Sequence, residues 1–291
     1  SQAWQKKNNW DEAFAAGWQA VEQSGGEEAQ QINFGYLLYE STLEKQDSLL
    51  REYALKWLEK YPDNQVAQHM GNAVLNRAVR PRANDEYLKN IFDIFAPDFE
   101  QVLTGLDYRA PELIRCLLEE IYGSKKSPRL RILDAGCGTG FCGGFLKKYS
   151  SFRGLYGVDI SEKMLEQAQA KKVYSHLLQS ELEQYFSQAK TKFDLIVSAD
   201  VFTYFGSLEK LLSGMADSLS AGGRVIFTVS ENNLNDDDYF LHSSGRYLHH
   251  QNYVGKVLEK VGFEVEKLER AKLRNEGENI VYGYVVSALK K

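Results

Sequence analysis

The stretch Leu133-Asp134-Ala135-Gly136-Cys137-Gly138-Thr139-Gly140 decides the fold of this chain. A hydrophobic run, Arg131-Ile132-Leu133, leads into it, and a predicted helix follows from Phe141. In a doubly wound α/β sheet, ligands bind at the carboxyl end of the first strand. Glycines at that position allow a tight turn and let a ligand approach the backbone closely. The stretch therefore predicts a ligand site at the end of a central strand.

Strand-like and helical runs alternate along the chain from Arg129 onward. This alternation predicts a mostly parallel sheet with helices on both faces. The last two strand-like runs are joined by a loop, which indicates an antiparallel hairpin at the edge of the sheet. The strand-like runs are Leu130–Leu133, Gly154–Val158, His176–Leu178, Phe193–Val197, Arg224–Val229, Phe263–Leu268 and Ile280–Val286.

The first 80 residues have apolar side chains at intervals of three and four, which predicts helices. Turn residues at Ser24-Gly25-Gly26 and Tyr61-Pro62-Asp63-Asn64 separate them. We expect two helical hairpins followed by a helix from about Gln65 to Val79. The pattern resembles tetratricopeptide repeats, which are helix pairs of ~34 residues. The predicted organisation is a tetratricopeptide-like helical module over 1–80, a helical lid or linker over 81–127 and an α/β domain over 128–291.

Two acidic residues give the glycine stretch its chemical character. A carboxylate at Asp134 would repel a pyrophosphate but suits a ligand that carries an ammonium group. The spacing is G-x-G-x-G, whereas dinucleotide loops need a further glycine where Phe141 stands. Asp159 ends the next predicted strand, where a carboxylate accepts hydrogen bonds from ribose hydroxyls. The alternative is a structural turn beside a surface carboxylate, which the order of strand, loop, helix, strand and acid disfavours.

Together, several segments of the chain resemble the class I S-adenosylmethionine (AdoMet)-dependent methyltransferases. They are Leu133–Gly140, Val158–Ser161, Phe193–Ile196 and Leu219–Arg224. The chain is similar in particular to bacterial methyltransferases that carry an N-terminal tetratricopeptide-like region, whose pattern also occurs in Tyr108–Glu112, Gly245–His249 and Arg274–Gly283. The resemblance implies a Rossmann-like, seven-stranded sheet with the last strand antiparallel, and AdoMet as the cofactor.

The resemblance also implies roles for individual residues. Gly136, Gly138 and Gly140 would hold the methionine part of AdoMet. Asp134 would face its amino group, and Asp159 would bind the ribose. The adenine amine would meet either Glu181, in Ser180-Glu181-Leu182, or a backbone amide. The other cofactor-side candidates are Ile160, Met164, Asp200, Tyr108 and Arg109, with core packing an equal alternative for Met164.

Several aromatic residues are predicted to surround the ligands without contacting a specified atom of them. Those before the α/β domain would form a helical lid over the cofactor, and Tyr204 and Phe205 would line the acceptor pocket. Packing in a core is the alternative, because aromatic residues at helical spacing more often lie there. The lid candidates are Tyr87, Phe92, Phe95, Phe99 and Tyr108.

The candidates for catalysis follow the fifth predicted strand. Methyl transfer depends mainly on aligning donor and acceptor, and a general base is needed only when the nucleophile arrives protonated. Three of the five histidines lie between positions 242 and 250. We therefore expect catalytic residues among His249, His242, Tyr247 and Arg246, with a structural network as the alternative. A metal site at Asp236-Asp237-Asp238 is disfavoured because consecutive acids on a loop more often face solvent, so no metal is predicted.

Composition narrows the possible functions. A net charge of −5 and a pI near 5.7 argue against a general nucleic-acid binder. Three cysteines without C-x-x-C spacing argue against a disulfide framework and a zinc site. No apolar run reaches the ~18–20 residues that span a bilayer, and no signal pattern begins the chain. We expect a cytoplasmic protein without a membrane partner. Because Ser1 is not methionine, we also expect a chain that is trimmed at its N-terminus or is a fragment.

The leading functional expectation is methyl transfer to oxygen or nitrogen of a small-molecule or carrier-bound acceptor. A protein or peptide methyltransferase is the first alternative, because repeat surfaces often hold peptides. A non-catalytic AdoMet-binding or scaffold protein is the second, and the intact set of Asp134, glycines and Asp159 argues against it. A dinucleotide oxidoreductase is least favoured because of the loop spacing. The acceptor and the oligomeric state are left open.

Overall fold

The structure is a computed structural model that describes residues 9–43, 47–77, 80–123, 129–277 and 279–291. The chain forms two compact units. The first unit comprises Ser1–Ile94 together with Leu241–Arg246, and the second comprises Phe95–Phe240 together with Tyr247–Lys291. No helix in the described part of the chain is both long and apolar enough to cross a membrane.

The first unit is helical. Its described helices are α1 (Trp10–Gln23), α2 (Glu28–Leu43), α3 (Asp47–Lys60), α4 (Gln65–Val74) and α5 (Asp85–Phe95), the last of which reaches the boundary with the second unit. The side chain of Asn9 caps α1 and that of Asn64 caps α4, each by accepting a backbone N–H.

The predicted helix from Gln65 to Val79 is shorter than expected. It ends at Val74, and Asn76 adopts a left-handed conformation with a φ of 55° that interrupts the helix. Val79 lies outside the described residues. The helix also completes the second helical pair of the described region and does not follow it, so the expected order of two hairpins and a further helix is corrected.

Tyr87 belongs to the core of this helical unit. Its ring stacks on His69 with centroids 4.2 Å apart, and its hydroxyl lies 3.5 Å from the sulfur of Met70. His69 in turn shares a hydrogen bond of 2.8 Å with the carbonyl oxygen of Gly245, from the short segment that this unit takes from later in the chain. The prediction that Tyr87 forms part of a lid is therefore wrong, and the alternative of core packing holds.

The second unit is built on a seven-stranded sheet. Its strands are β1 (Leu130–Ala135), β2 (Ser150–Asp159), β3 (His176–Gln179), β4 (Phe193–Ser198), β5 (Leu219–Ser230), β8 (Phe263–Glu276) and β9 (Asn279–Lys290). They lie in the order β3-β2-β1-β4-β5-β9-β8. Parallel pairing joins β1 to β2 and β4, β2 to β3, and β4 to β5, whereas β9 runs antiparallel to both β5 and β8. The predicted Rossmann-like sheet with an antiparallel last strand is confirmed.

A second, two-stranded sheet was not predicted. It pairs β6 (Tyr239–Leu241) with β7 (Tyr247–His249) after the fifth strand of the main sheet. Each of its strands has only three residues, too few for an alternating pattern to stand out in the sequence.

Helices cover both faces of the main sheet. Consecutive side chains of a strand point to opposite faces, and Ile132 packs into one apolar cluster with Ile114 while Leu133 packs into another with Val254. The helices of this unit are α6 (Phe99–Gly105), α7 (Ala110–Tyr122), α8 (Gly143–Tyr149), α9 (Glu162–Ala170), α10 (Leu182–Gln188), α11 (Glu209–Ser218) and α12 (Gln251–Lys260). The order of strands reverses at β1, between β2 and β4, and this switch point is where α/β sheets bind ligands.

Candidate functional site

The three glycines of the loop after β1 all have positive φ angles, of 74° for Gly136, 52° for Gly138 and 84° for Gly140. Such angles are strained for any residue with a side chain. The backbone N–H groups of Gly136 and Cys137 both donate to the carbonyl oxygen of Val158, at 2.8 and 3.0 Å. The loop therefore folds back onto the end of β2.

Each glycine makes room for something different. A Cβ atom on Gly136 would lie 2.3 Å from a methyl carbon of Val201, and one on Gly140 would lie 2.9 Å from the ring of Tyr174. At Gly138 the nearest atom is a ring carbon of Phe99, 3.8 Å away. Gly136 and Gly140 thus serve packing, whereas Gly138 presents its backbone to the more open side of the loop.

Asp159 ties the loop to the following helix. One carboxylate oxygen accepts the N–H of Gly138 at 2.8 Å, and the other accepts the N–H of Ser161 at 2.9 Å. Ser161 caps α9, because its hydroxyl accepts the N–H of Met164 at 3.1 Å. The carboxylate is therefore held in one orientation at the end of β2, where a ribose would approach it.

Asp134 is only 1% exposed, and the hydroxyl of Tyr174 donates to one of its oxygens at 2.6 Å. Burial raises the pKa of Asp134 to about 7, with the Tyr174 hydrogen bond lowering it and the Asp159 charge raising it further. A cation bound nearby would favour the ionised form. Sequence reasoning missed Tyr174, because nothing near it marks a partner 40 residues away.

Glu181, the candidate for the adenine contact, is engaged by its own helix. Its two carboxylate oxygens accept the N–H groups of Glu183 and Gln184, at 2.9 and 2.8 Å, at the start of α10. The N–H of Ser180 donates to the carbonyl oxygen of Asp159 at 2.9 Å. A carboxylate oxygen can accept more than one hydrogen bond, so the choice between Glu181 and a backbone amide for the adenine stays a prediction.

Ile160 and Met164 lie on either side of the cap formed by Ser161. Met164 is 1% exposed, which suits the alternative of core packing. Ile160 is partly exposed at the end of β2, and its carbonyl oxygen accepts a hydrogen bond of 3.1 Å from Gln179. Ile160 is thus the more accessible of the two to a ligand.

The helical segment before the sheet is fastened across the glycine loop. Glu100, in α6, accepts a hydrogen bond of 2.6 Å from the hydroxyl of Thr139 and forms an ion pair with Lys171. The side chain of Gln167 donates to the carbonyl oxygen of Ala96. These contacts hold Phe99 beside Gly138, and its role as a lid residue stays a prediction. Glu100 and Gln167 were not predicted.

Asp200 follows β4 with a left-handed φ of 57°, and its N–H donates to the hydroxyl of Thr228 at 2.9 Å. Its carboxylate pairs with the guanidinium of Arg274, whose Nη1 lies 3.2 and 3.4 Å from the two oxygens. Burial raises the pKa of Tyr108 well above its usual range, Asp200 adds to the rise and Arg274 opposes it. Asp200, Tyr108 and Arg274 therefore share one environment.

Arg109 stands next to this group, but its side chain forms a largely exposed ion pair of 2.7 Å with Glu112. Its backbone N–H donates to the carbonyl oxygen of Leu273 at 2.7 Å. Both contacts fix the start of α7 against β8. Arg109 thus supports the segment that carries Tyr108.

His249 and Tyr247, two catalytic candidates, are buried in the second unit. The Nε2 atom of His249 donates to the carbonyl oxygens of Phe205 and Gly206, at 2.7 and 3.2 Å, while Nδ1 has no partner in the described structure. Burial lowers the pKa of His249 to about 4, so the ring is neutral near pH 7. Tyr247 is 1% exposed and packs against Gly206. This geometry favours the structural alternative for both.

His242 and Arg246, the other two candidates, belong to the helical unit. The ring of His242 lies edge-on to Tyr39 with centroids 6.0 Å apart, and its Nδ1 lies 2.9 Å from the hydroxyl of Ser244. The N–H of His242 donates to the carbonyl oxygen of Arg246 at 2.9 Å. The candidates are thus divided between the two units. Within the described residues, no cluster of three or more His, Cys, Asp or Glu side chains is arranged to hold a metal ion.

A family model described as a methyltransferase domain matches residues 133–227, which run from the glycine loop to β5. The chain is 43% identical over 89 residues to human methyltransferase-like protein 27, covering 30% of this chain and 35% of that protein. It is 26% identical over 151 residues to the malonyl-[acyl-carrier protein] O-methyltransferase of Priestia megaterium, covering 51% and 53%. The chain therefore spans about a third to a half of the length of these curated relatives.

Among solved structures, the chain resembles the magnesium protoporphyrin IX methyltransferase of Synechocystis PCC 6803 with bound S-adenosylhomocysteine. The TM-score is 0.55 at 18% identity, over 71% of this chain and 99% of that one. The second unit has the class I methyltransferase fold. The predicted class of AdoMet-dependent methyltransferase and its cofactor agree with these matches.

Proposed function

We propose that this chain transfers the methyl group of AdoMet to an oxygen or nitrogen atom of a small-molecule or carrier-bound acceptor. The observation that carries the proposal is the arrangement around Asp159. Its carboxylate is bound to the N–H of Gly138 at the end of β2, with Asp134 buried at the end of β1. One carboxylate suits a ribose and the other suits an ammonium group, and AdoMet has both.

The second unit supplies what the reaction needs from a protein. Displacement at the sulfonium carbon requires donor and acceptor to be held in line, and alignment alone can contribute ~7–11 kcal/mol. The glycine loop, Asp159 and the contacts of Glu100 with Thr139 would hold the donor. The relation to malonyl-[acyl-carrier protein] O-methyltransferase, a protein named for a carrier-bound substrate, supports that class of acceptor.

A protein or peptide acceptor is the second candidate. The observation that favours it is the run of four helices from α1 to α4, each of 10 to 16 residues. We propose that these helices form a tetratricopeptide-like module, whose surface would hold an extended polypeptide.

Calorimetry tests the donor site. We expect S-adenosylhomocysteine to bind the full chain, and Asp159→Ala to weaken its binding at least tenfold, because the variant loses the ribose acceptor and the anchor of the loop. Asp236→Ala, which removes an exposed carboxylate of a loop, is the matched control and should bind normally. A chain that binds neither AdoMet nor S-adenosylhomocysteine would contradict the proposal.

Transfer of a labelled methyl group into a cell extract tests the acceptor. The extract is divided into small-molecule and protein fractions, and the Asp159→Ala variant serves as the blank. Label in the small-molecule fraction, or on carrier protein in a form released by mild base, supports the first proposal. Stable label on polypeptides supports the second.

A further inference from the structure

Arg274 is a buried cation whose hydrogen-bonding capacity is only partly used. It lies near the end of β8, is 2% exposed, and was singled out in the sequence only as the start of a family-like segment. A guanidinium carries five N–H donors in a planar fork. Its Nη1 atom contacts Asp200, but its Nε atom is buried and has no hydrogen-bond partner among the residues that the structure describes.

A break in the pairing of β8 turns this side chain inward. Lys272 pairs with Tyr282 and Arg274 pairs with Val281, so Leu273 is an extra residue in the strand. Leu273 and Arg274 are both buried, although neighbouring residues of a regular strand would point to opposite faces. Bulges of this kind occur beside active sites, where they redirect a side chain.

The chain before α7 lines the same place. The N–H of Arg109 donates to the carbonyl oxygen of Leu273 at 2.7 Å, and the N–H of Asn275 donates to that of Leu106 at 2.6 Å. These two bonds hold residues 106–109 against β8, and the charge of Arg274 acts on the hydroxyl of Tyr108 by lowering its pKa against the effect of burial. Asp200 is followed directly by Val201, which packs on Gly136 of the glycine loop. The arginine therefore belongs to the candidate donor site.

Asp200 does not use the fork fully. Its oxygens lie 3.2 and 3.4 Å from Nη1, longer than the 2.7–2.9 Å typical of charge-assisted hydrogen bonds. An arginine fork matches a carboxylate in a planar, two-point contact. A buried donor without a partner is costly, and a ligand carboxylate at Nε would remove that cost.

We propose that Arg274, with the hydroxyl of Tyr108 beside it, binds a carboxylate group of a ligand in the active site. The carboxylate belongs either to the methionine part of AdoMet or to the methyl acceptor. This assignment rests on the proposed function, since it places the ligand in the donor site of a methyltransferase.

The test compares ligands with and without the carboxylate in the full chain. If the cofactor supplies it, Arg274→Gln weakens binding of S-adenosylhomocysteine at least tenfold but leaves 5′-methylthioadenosine, which lacks the amino-acid part, unchanged. If the acceptor supplies it, S-adenosylhomocysteine binds normally, and binding of succinate, followed by saturation-transfer NMR, is lost. Succinate is titrated into the free protein and into the S-adenosylhomocysteine complex.

Two further variants keep the result interpretable. Arg274→Lys keeps a positive charge beside Asp200, so the variant should still fold, but it lacks the planar fork. It should therefore lose binding of the same ligand, S-adenosylhomocysteine or succinate, that Arg274→Gln loses. Arg270 lies on the same strand as Arg274 but is exposed and paired with Glu231, so Arg270→Gln should change the binding of neither ligand. Tyr108→Phe should give a smaller loss, of about threefold.

The outcomes separate this inference from the proposed function. If wild-type protein binds S-adenosylhomocysteine, and both Arg274 variants bind S-adenosylhomocysteine and succinate as the wild type does, the carboxylate assignment is overturned. The proposed donor site is then unaffected. If wild-type protein binds no S-adenosylhomocysteine, the proposed function fails. The succinate titration is then compared between free wild-type protein and the Arg274 variants. Succinate binding that is lost in the variants supports the carboxylate assignment, and equal results overturn it.

Discussion

The glycine loop and the hairpin of β6 and β7 both follow strands of the main sheet, but they use polar groups in opposite ways. In the loop, the backbone takes left-handed angles so that the N–H of Gly138 can reach Asp159. At the hairpin, the ring of His249 is turned inward so that its N–H can reach the carbonyl oxygens of Phe205 and Gly206. In the loop, the backbone is bent so that its N–H can reach a side chain. At the hairpin, a side chain is turned inward so that it can reach backbone carbonyl groups.

The difference shows that the role of a polar residue in a predicted site depends on whether the fold itself uses its hydrogen-bonding groups. Asp159 lies at the end of a strand, and each of its carboxylate oxygens can accept more than one hydrogen bond. His249 gives its one proton to carbonyl groups of the fold, and burial lowers its pKa to about 4. Motif position alone does not separate these two cases, but the partners of each group do.

The largest expected effect tests the backbone side of this comparison. Gly136→Ala places a Cβ atom 2.3 Å from Val201 at a φ of 74°, so both a clash and backbone strain result. We expect the free energy of unfolding to fall by about 3 kcal/mol or more. Denaturant titration measures it. Gly144→Ala is the control, since Gly144 is helical with no atom within 4 Å of the added Cβ, and it should not destabilise.

The next effect tests the histidine side. His249→Asn removes the donor to two buried carbonyl groups, and we expect a loss of about 2 kcal/mol of stability. With saturating AdoMet, turnover should keep the same pH profile between pH 5.5 and 8, because a ring with a pKa of about 4 does not titrate there. His176→Asn, at an exposed ring on Tyr156, is the control. If the wild type loses turnover as pH falls within this range and only His249→Asn abolishes that acidic limb, His249 acts as a general base.

The smallest effect concerns pH and the donor. Because burial raises the pKa of Asp134 to about 7 in the folded chain, well above the ordinary value of an aspartate, the folded protein holds a proton that the unfolded chain loses. This group therefore lowers stability as pH rises from about 4 to 7. It should also make AdoMet bind more tightly over the upper part of that range, by at most about tenfold per pH unit.

Asp134→Asn removes the charge and tests that prediction. Calorimetry between pH 5.5 and 7.5 should show a flat profile for AdoMet in the variant and a rising one in the wild type. 5′-Methylthioadenosine, which has no ammonium group, should give flat profiles in both. Equal slopes for AdoMet in the two proteins would exclude Asp134 as the partner of the ammonium group.

The sequence predicted the main sheet well because its signals are local. Apolar runs in the sequence mark five buried strands and the turns between them. The loop glycines occupy positions that require positive φ angles. The prediction failed where a residue's role depends on distant chain. Arg274 is aimed by a bulge and by residues 106–109, and Tyr174 reaches Asp134 across the space left by Gly140. No local pattern encodes either contact.

The histidines between positions 242 and 250 show the same limit. Their clustering in the sequence suggested one site, but a short hairpin separates them, and His242 joins the helical unit while His249 enters the core of the other. Three-residue strands carry too little pattern to reveal that turn.

The helical unit is discontinuous, because it also takes Leu241–Arg246, which run from the last residue of β6 to the residue before β7. Within it, Gly245 sits so close to Met70 that an added Cβ atom would lie 2.5 Å from the sulfur. Recombination that exchanged only residues 1–94 for those of another protein would place different side chains against Gly245, and these would not match its close packing. The two units are therefore expected to be inherited as one piece, and changes at residues 69 and 70 to occur together with changes at 245.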